Sequence, residues 1–370
     1  MQFDFPSFLE DFSESPLGEA TARARNERGS DISAWEHSTA AWKFYRDGPM
    51  SSRSDRQKLL TSLACAFGDV GKTVVSHEDA FGRSPHVGHE LQSSRIWENY
   101  AVDSWHEMRR RFSDLLPHDI FSIGWMLQNQ SRYTEDLDLG RFKRVVFQTL
   151  GRDSIAFLDF MDARHRNPVV SNAREKYETA RKRFMDSAPT STTPPTYYKE
   201  CLLLVGPYGS GKTLFALERS HGMNVASSDT MLEEWGNFIA VRRQVDTSKM
   251  STADRDGLYS GWAQDLRTEF QSHLKHEIDR LMTCDGDVII DSNNLSKGDR
   301  RRLAMQARRN GFFVRVILFP ASKQQLVMRT MRPDKHVVPE DVIRQFDALE
   351  LPDVTVDADA VVVSSNNLIP

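Results

Sequence analysis

Residues Gly206 to Thr213 read Gly-Pro-Tyr-Gly-Ser-Gly-Lys-Thr and follow directly on the apolar run Cys201-Leu-Leu-Leu-Val205. A buried strand that hands a Gly-rich loop to the start of a helix lets backbone N–H groups turn inward on phosphate oxygens. Leu214, Phe215 and Leu217 supply the helical pattern, and the partial positive charge of a helix N-terminus adds to the attraction. Gly206, Pro207, Tyr208, Gly209, Ser210, Gly211, Lys212 and Thr213 are therefore the candidate nucleotide-binding residues. Lys212 is a point charge for the terminal phosphates, and the Thr213 hydroxyl is a ligand for magnesium. The expected cofactors are ATP and Mg²⁺.

The chain has 370 residues, about two domains' worth, and its 39% hydrophobic and 27% charged composition is ordinary for a soluble protein. A net charge of -4 excludes whole-protein attraction to a polyanion, so any nucleic-acid site is a local basic patch. Three widely spaced cysteines, Cys65, Cys201 and Cys284, exclude a disulfide framework and zinc-finger spacing, and fit a reducing compartment. The acidic start Met-Gln-Phe-Asp-Phe-Pro lacks the pattern of a signal peptide, and no apolar stretch reaches membrane-spanning length. A cytoplasmic protein without a membrane partner is expected.

Composition breaks at Asp186-Ser-Ala-Pro-Thr-Ser-Thr-Thr-Pro-Pro195, where prolines and hydroxyls favour an irregular connection. We read residues 1–30 as a mobile, polar N-terminal arm, 31–185 as a mainly helical domain, 186–198 as a linker and 199–370 as a P-loop domain. Helical spacing of Ile32, Trp35, Trp42 and Tyr45, and of Leu59, Leu60, Leu63 and Phe67, supports the helical half. Downstream, short apolar runs alternate with longer helical segments, the pattern of a parallel sheet flanked by crossover helices. The predicted strands are 201–205, 224–227, 287–290, 312–318 and 359–364. The predicted helices are 212–221, 231–245, 254–282, 296–309, 322–331 and 339–348.

Two acids fall at predicted strand ends. Asp229 follows Val225-Ala-Ser-Ser, and the carboxyl ends of strands in a doubly wound sheet face one crevice. It is a candidate general base for an attacking hydroxyl, with helix capping as its competing role. Asp291, ending Asp287-Val-Ile-Ile, either orients magnesium water or bonds the turn that follows. No Glu follows Asp291, so the usual water-activating base of ATPase motors is missing there, and transfer to a hydroxyl is favoured over hydrolysis. Arg329 and Arg332 lie three apart on one helical face before a Pro-broken loop. They either clamp the migrating phosphoryl group opposite Lys212 or form an exposed basic face.

Taken together, Gly206 to Thr213, Ser228-Asp229, Asp291-Ser-Asn-Asn294-Leu and Arg329-x-x-Arg332-Pro, followed by Val338-Pro-Glu-x-Val-Ile, resemble the P-loop kinase family of polynucleotide kinases and their phage and bacterial relatives. The likeness covers about residues 200 to 352. It implies that Lys212 and Thr213 hold ATP and magnesium, that Asp229 is the general base, and that Arg329 or Arg332 contacts the phosphates. The implied acceptor is a primary hydroxyl on nucleic acid, DNA above all. It is either a 5′-OH end or the base of 5-hydroxymethyluracil, as in phage thymidine hypermodification. Many 5′-OH kinases carry an Arg three residues after the base; this chain has Leu232. It also lacks the Asp-x-Asp-Gly-Thr and Lys-x-Asp-Gly motifs of fused phosphatases and ligases.

Basic clusters at Arg109–Arg111, Arg141–Arg144, Arg174–Arg183 and Lys297–Arg309, with Trp97 or Trp105, offer phosphate pairing and base stacking. Solvated helix faces for the charges and core packing for the tryptophans are the stronger reading of each. His86-x-x-His89-Glu90 has helical metal spacing without further ligands nearby. Two rival functions stay open at this stage: a small-molecule kinase for a nucleotide sugar or antibiotic, and a nucleotide-gated binding module. Oligomeric state is open as well.

Overall fold

The computed structural model describes residues 4–25, 31–75, 88–135, 138–169, 174–187, 197–331 and 337–368. The chain divides into two compact units, Met1–Thr193 and Pro194–Pro370.

The first unit is helical. The expectation of a mobile arm over 1–30 is corrected at its start: Phe5–Ser13 and Pro16–Arg23 are helices, opened by Asp4 and Ser15 accepting bonds from Ser7 and Gly18 N–H groups. Phe5, Phe8, Leu9 and Phe12 repeat at helical spacing and are buried, a stripe that the polar average of the segment conceals. The Phe5 ring lies 5.6 Å from Trp42, and Phe12 lies 5.0 Å from Phe67. Trp97 is fully buried and donates to the Ile120 carbonyl at 3.0 Å, while Trp105 is 8% exposed, so core packing accounts for both.

Several residues of the basic clusters of this unit are engaged internally. Arg111 pairs with Asp11, Arg109 donates to the Ser113 carbonyl at 2.9 Å, and Arg181 donates to Asp162 at 2.7 Å. The densest polar knot surrounds Asp69. Its carboxylate accepts from Arg164 at 2.9 and 3.1 Å, from Lys72 at 2.7 Å and from His37 Nδ1 at 2.5 Å. His89 lies beside Glu90 at 3.4 Å and Asp69 at 3.9 Å. Among the described residues no metal-binding group forms, and His86 lies outside them.

The second unit is a five-stranded parallel sheet flanked by helices, as the alternation of runs predicts. Its strands are β1 Lys199–Val205, β2 Met223–Ser227, β3 Asp287–Asp291, β4 Phe312–Leu318 and β5 Ala360–Val363, in the order β2-β3-β1-β4-β5. Helices α1 Lys212–Arg219, α2 Ser228–Arg243, α3 Thr252–Asp265, α4 Arg267–Thr283, α5 Lys297–Arg309, α6 Lys323–Thr330 and α7 Pro339–Ala348 cross between them. The central strand β1 pairs with β3 through Leu203↔Ile290 and with β4 through Leu203↔Val316. Its Leu and Val side chains are buried on both faces, which is why these runs read as continuous rather than alternating.

The helix expected over 254–282 is two helices that meet at Leu266. Trp262 belongs to an apolar cluster with Trp235, Ile239 and Tyr259, and Leu266 and Phe270 pack against the same cluster. The change of direction at Leu266 keeps both segments on α2. No described helix is long and apolar enough to cross a membrane.

Candidate active site

Ser227 and Asp291 are register partners at the ends of β2 and β3, so these two strands stop level beside the loop that leaves β1. Three residues of that loop show why its glycines are needed. A Cβ on Gly206 would lie 2.5 Å from Ser210 Oγ, and Gly209 and Gly211 have φ of +79° and +96°. A Cβ on Gly209 would also press on the Leu326 carbonyl of α6 at 3.2 Å. Gly211 is the N-cap of α1 and no side chain caps it, so the helix N-terminus faces the crevice.

The loop is braced from two directions. Gly206 N–H donates to the Asn293 carbonyl at 3.2 Å, and Tyr208 N–H to Gln345 Oε1 of α7 at 3.1 Å. The same Gln345 oxygen accepts from Asn293 Nδ2 at 3.1 Å. Lys212, 6% exposed, sits inside the loop's arc, its ammonium donating to the Gly206 and Pro207 carbonyls at 2.7 and 2.8 Å.

A cavity of about 500 Å³ opens in front of the loop. It brings together Tyr208, Lys212, Thr213, Asp229, Asp291 and Arg329 of the site residues predicted from the sequence, while Gly206, Pro207 and Ser210 of the loop do not line it. Asp229 lies in the first turn of α2, whose N-cap is Ser227. Asp291 is 4% exposed and accepts from Ser227 Oγ at 3.4 Å. Burial raises the Asp291 carboxyl above the usual range and Asp229 raises it further, against the pull of Thr213, Lys212 and Ser227. Two carboxylates and a Thr hydroxyl that share one crevice form an oxygen-donor set suited to Mg²⁺, whose charge would relieve their mutual repulsion. Thr213 and Asp291 are the residues that would hold or orient it, with Asp229 beside them in the same cavity.

Arg329 reaches the loop from α6. Its Nη1 donates to Asn367 Oδ1 at 2.6 Å and lies 3.4 Å from the Gly209 carbonyl. Arg332 lies outside the described residues. Burial pushes the Tyr208 phenol up to about 12, with the Asp229, Asp256 and Asp341 carboxylates adding to it.

The sequence reading missed two groups. Gln345 is one unmarked residue of an amphipathic helix, and only the fold turns it toward the loop. Asn366 and Asn367 follow β5, and their place beside the loop depends on a pairing between distant segments. A Ser-Ser-Asn-Asn run at the end of a strand was the available signal. The basic helix α5 has a structural use. Arg300, fully buried, donates to Asp357 at 2.7 Å and to the Asn294 and Leu295 carbonyls at 2.8 and 2.7 Å, fixing the turn after β3.

The parallel sheet, the Gly-rich loop and the crevice define a P-loop nucleotide-binding domain. Residues 202–351 match an AAA domain family, AAA_33, a P-loop NTPase and kinase-like family; the match spans less than half of the chain and lies within the second unit. No curated protein matches the chain.

Proposed function

We propose that this protein is an ATP-dependent kinase that transfers the γ-phosphate to a primary hydroxyl on nucleic acid. The observation that carries the reading is that Asp229 opens into the same cavity as Lys212, Thr213 and Arg329. An acceptor hydroxyl seated between Asp229 and the terminal phosphate gives its proton to the carboxylate as its oxygen forms the new P–O bond. The bond from the γ-phosphorus to the β–γ bridging oxygen breaks in line, and ADP leaves. Lys212 and Arg329 face the charge that spreads over the transferred group. Thr213 and Asp291 would hold magnesium, which would supply positive charge to screen the phosphates.

Leu232 bears on the acceptor. At the place where many 5′-OH kinases present an Arg to the acceptor's phosphate, this chain packs Leu232 against the Trp235, Ile239 and Trp262 cluster. Such a site, without a contact to the 3′-phosphate of a terminal nucleotide, favours a hydroxymethyl group on a nucleobase over a 5′-OH end.

The test is transfer of label from γ-labelled ATP to two DNA substrates. One is a duplex with internal 5-hydroxymethyluracil and blocked ends, and the other is an unmodified 5′-OH oligonucleotide. Labelling of the first supports the reading, and labelling of the second alone moves the acceptor to the 5′ end. Label in a metabolite extract and in neither DNA would replace it with a small-molecule kinase.

A further inference from the structure

We propose that Asn367 is a positioning residue that ties Arg329 to the phosphate-binding loop, so that the arginine meets the terminal phosphate of the nucleotide; this rests on the reading of the cavity as an ATP site. Asn367 is 5% exposed and sits in the turn after β5, far in sequence from both groups it joins. Its Oδ1 accepts from Arg329 at 2.6 Å, and its Nδ2 donates to the Ser210 carbonyl at 3.0 Å and the Pro320 carbonyl at 2.7 Å. Its own backbone carbonyl accepts from Gln325 at 3.2 Å, one turn before Arg329 on α6. One amide therefore links the loop, the end of β4 and the arginine helix.

The chemistry requires an amide. A guanidinium only donates and a carbonyl only accepts, so the partners fix which end of the side chain is oxygen and which is nitrogen. Aspartate would set a carboxylate against two carbonyls, and an apolar residue would strand all three groups. A guanidinium has five N–H donors in a rigid fork, so the bond to Asn367 orients the group without precluding contact with phosphate. The place where it is held matters because Gly209, whose carbonyl also lies near Arg329, packs against α6 so tightly that a Cβ there would lie 3.2 Å from the Leu326 carbonyl. Through Asn367 the arginine is referenced to the loop rather than to its own helix alone.

The experiment is calorimetric titration of Mg·ATP and Mg·ADP into full-length wild type, Asn367→Ala, Arg329→Ala and the double variant. A contact with the terminal phosphate is felt by ATP and not by ADP. Each single variant is expected to weaken ATP about tenfold, or about 1.4 kcal/mol, and to leave ADP within about twofold. The double variant is expected to bind ATP no worse than about threefold below Arg329→Ala, because the asparagine acts through the arginine. ADP binding also serves as the folding control. Losses that multiply in the double variant, an unchanged Asn367→Ala, or equal weakening of ATP and ADP would each overturn the proposal. Failure of the wild type to bind either nucleotide overturns it together with the kinase reading.

Discussion

Ser227 Oγ donates to Asp291 Oδ2 at 3.4 Å across the paired ends of β2 and β3, and Asp229 begins the helix that leaves the same strand. This bond places a buried carboxylate and a second, half-buried one within one crevice. Burial and Asp229 hold the Asp291 carboxyl above its ordinary range. A carboxyl with a raised folded-state pKa contributes stability at low pH, and that contribution is lost as pH rises through the raised value. The same proton competes with a divalent cation. Apparent Mg²⁺ affinity, measured by calorimetry in the presence of ATP, is therefore expected to fall as pH drops from 7 toward 5. Asp291→Asn should weaken Mg²⁺ and flatten that pH dependence; a slope unchanged in the variant would show that another group sets it.

Asp229→Asn separates proton acceptance from every other use of the residue. The amide keeps size and hydrogen bonding but cannot take the acceptor's proton. The turnover number is expected to fall by about 10²- to 10⁴-fold, with ATP affinity within about threefold of wild type. Loss of ATP affinity in parallel with turnover would point to a structural role in the first turn of α2.

What was legible beforehand follows from the range of the interactions. The loop, the five strands and the acids at their ends are local patterns, and β4 over Phe312–Leu318 was predicted to the residue. The break at Leu266 was not, because both halves have good helical sequence and the turn is set by packing on Trp235. Asn367 and Gln345 reach the site through contacts that only the assembled sheet creates. The averaged polarity of residues 1–30, expected to form a mobile arm, hides the helical spacing of Phe5, Phe8, Leu9 and Phe12 that docks the first helix.

Asp69 is expected to be the electrostatic keystone of the helical unit. Although buried, which alone would raise it, its carboxyl is held well below the usual range by Arg164, Lys72 and His37. A depressed folded-state pKa gives stability that is full above the unfolded value, about 3.9, and is lost as pH falls through the folded one. Asp69→Asn leaves buried cations against a neutral amide and should cost about 3 to 5 kcal/mol at pH 7. Hydrogen exchange of peptides containing Trp97 and Trp125 reads this unit. Protection equal to wild type would show that the knot is not needed for its stability.

Phe12→Ala tests whether the first helix belongs to the core. Phe12 packs its ring against Trp35, Phe67 and Tyr100 at 5.3, 5.0 and 5.8 Å, so truncation leaves a cavity among large aromatics that cannot close around it. The expected cost is about 3 to 5 kcal/mol. Because the helix Phe5–Ser13 holds to the unit mainly through this stripe, limited proteolysis should then cut within residues 4–25 well before the rest of the chain. Wild type should resist cleavage there under the same conditions. Cleavage at equal rates in both proteins would return the segment to a mobile arm, since a chain that spends most of its time undocked gains nothing from the phenyl ring.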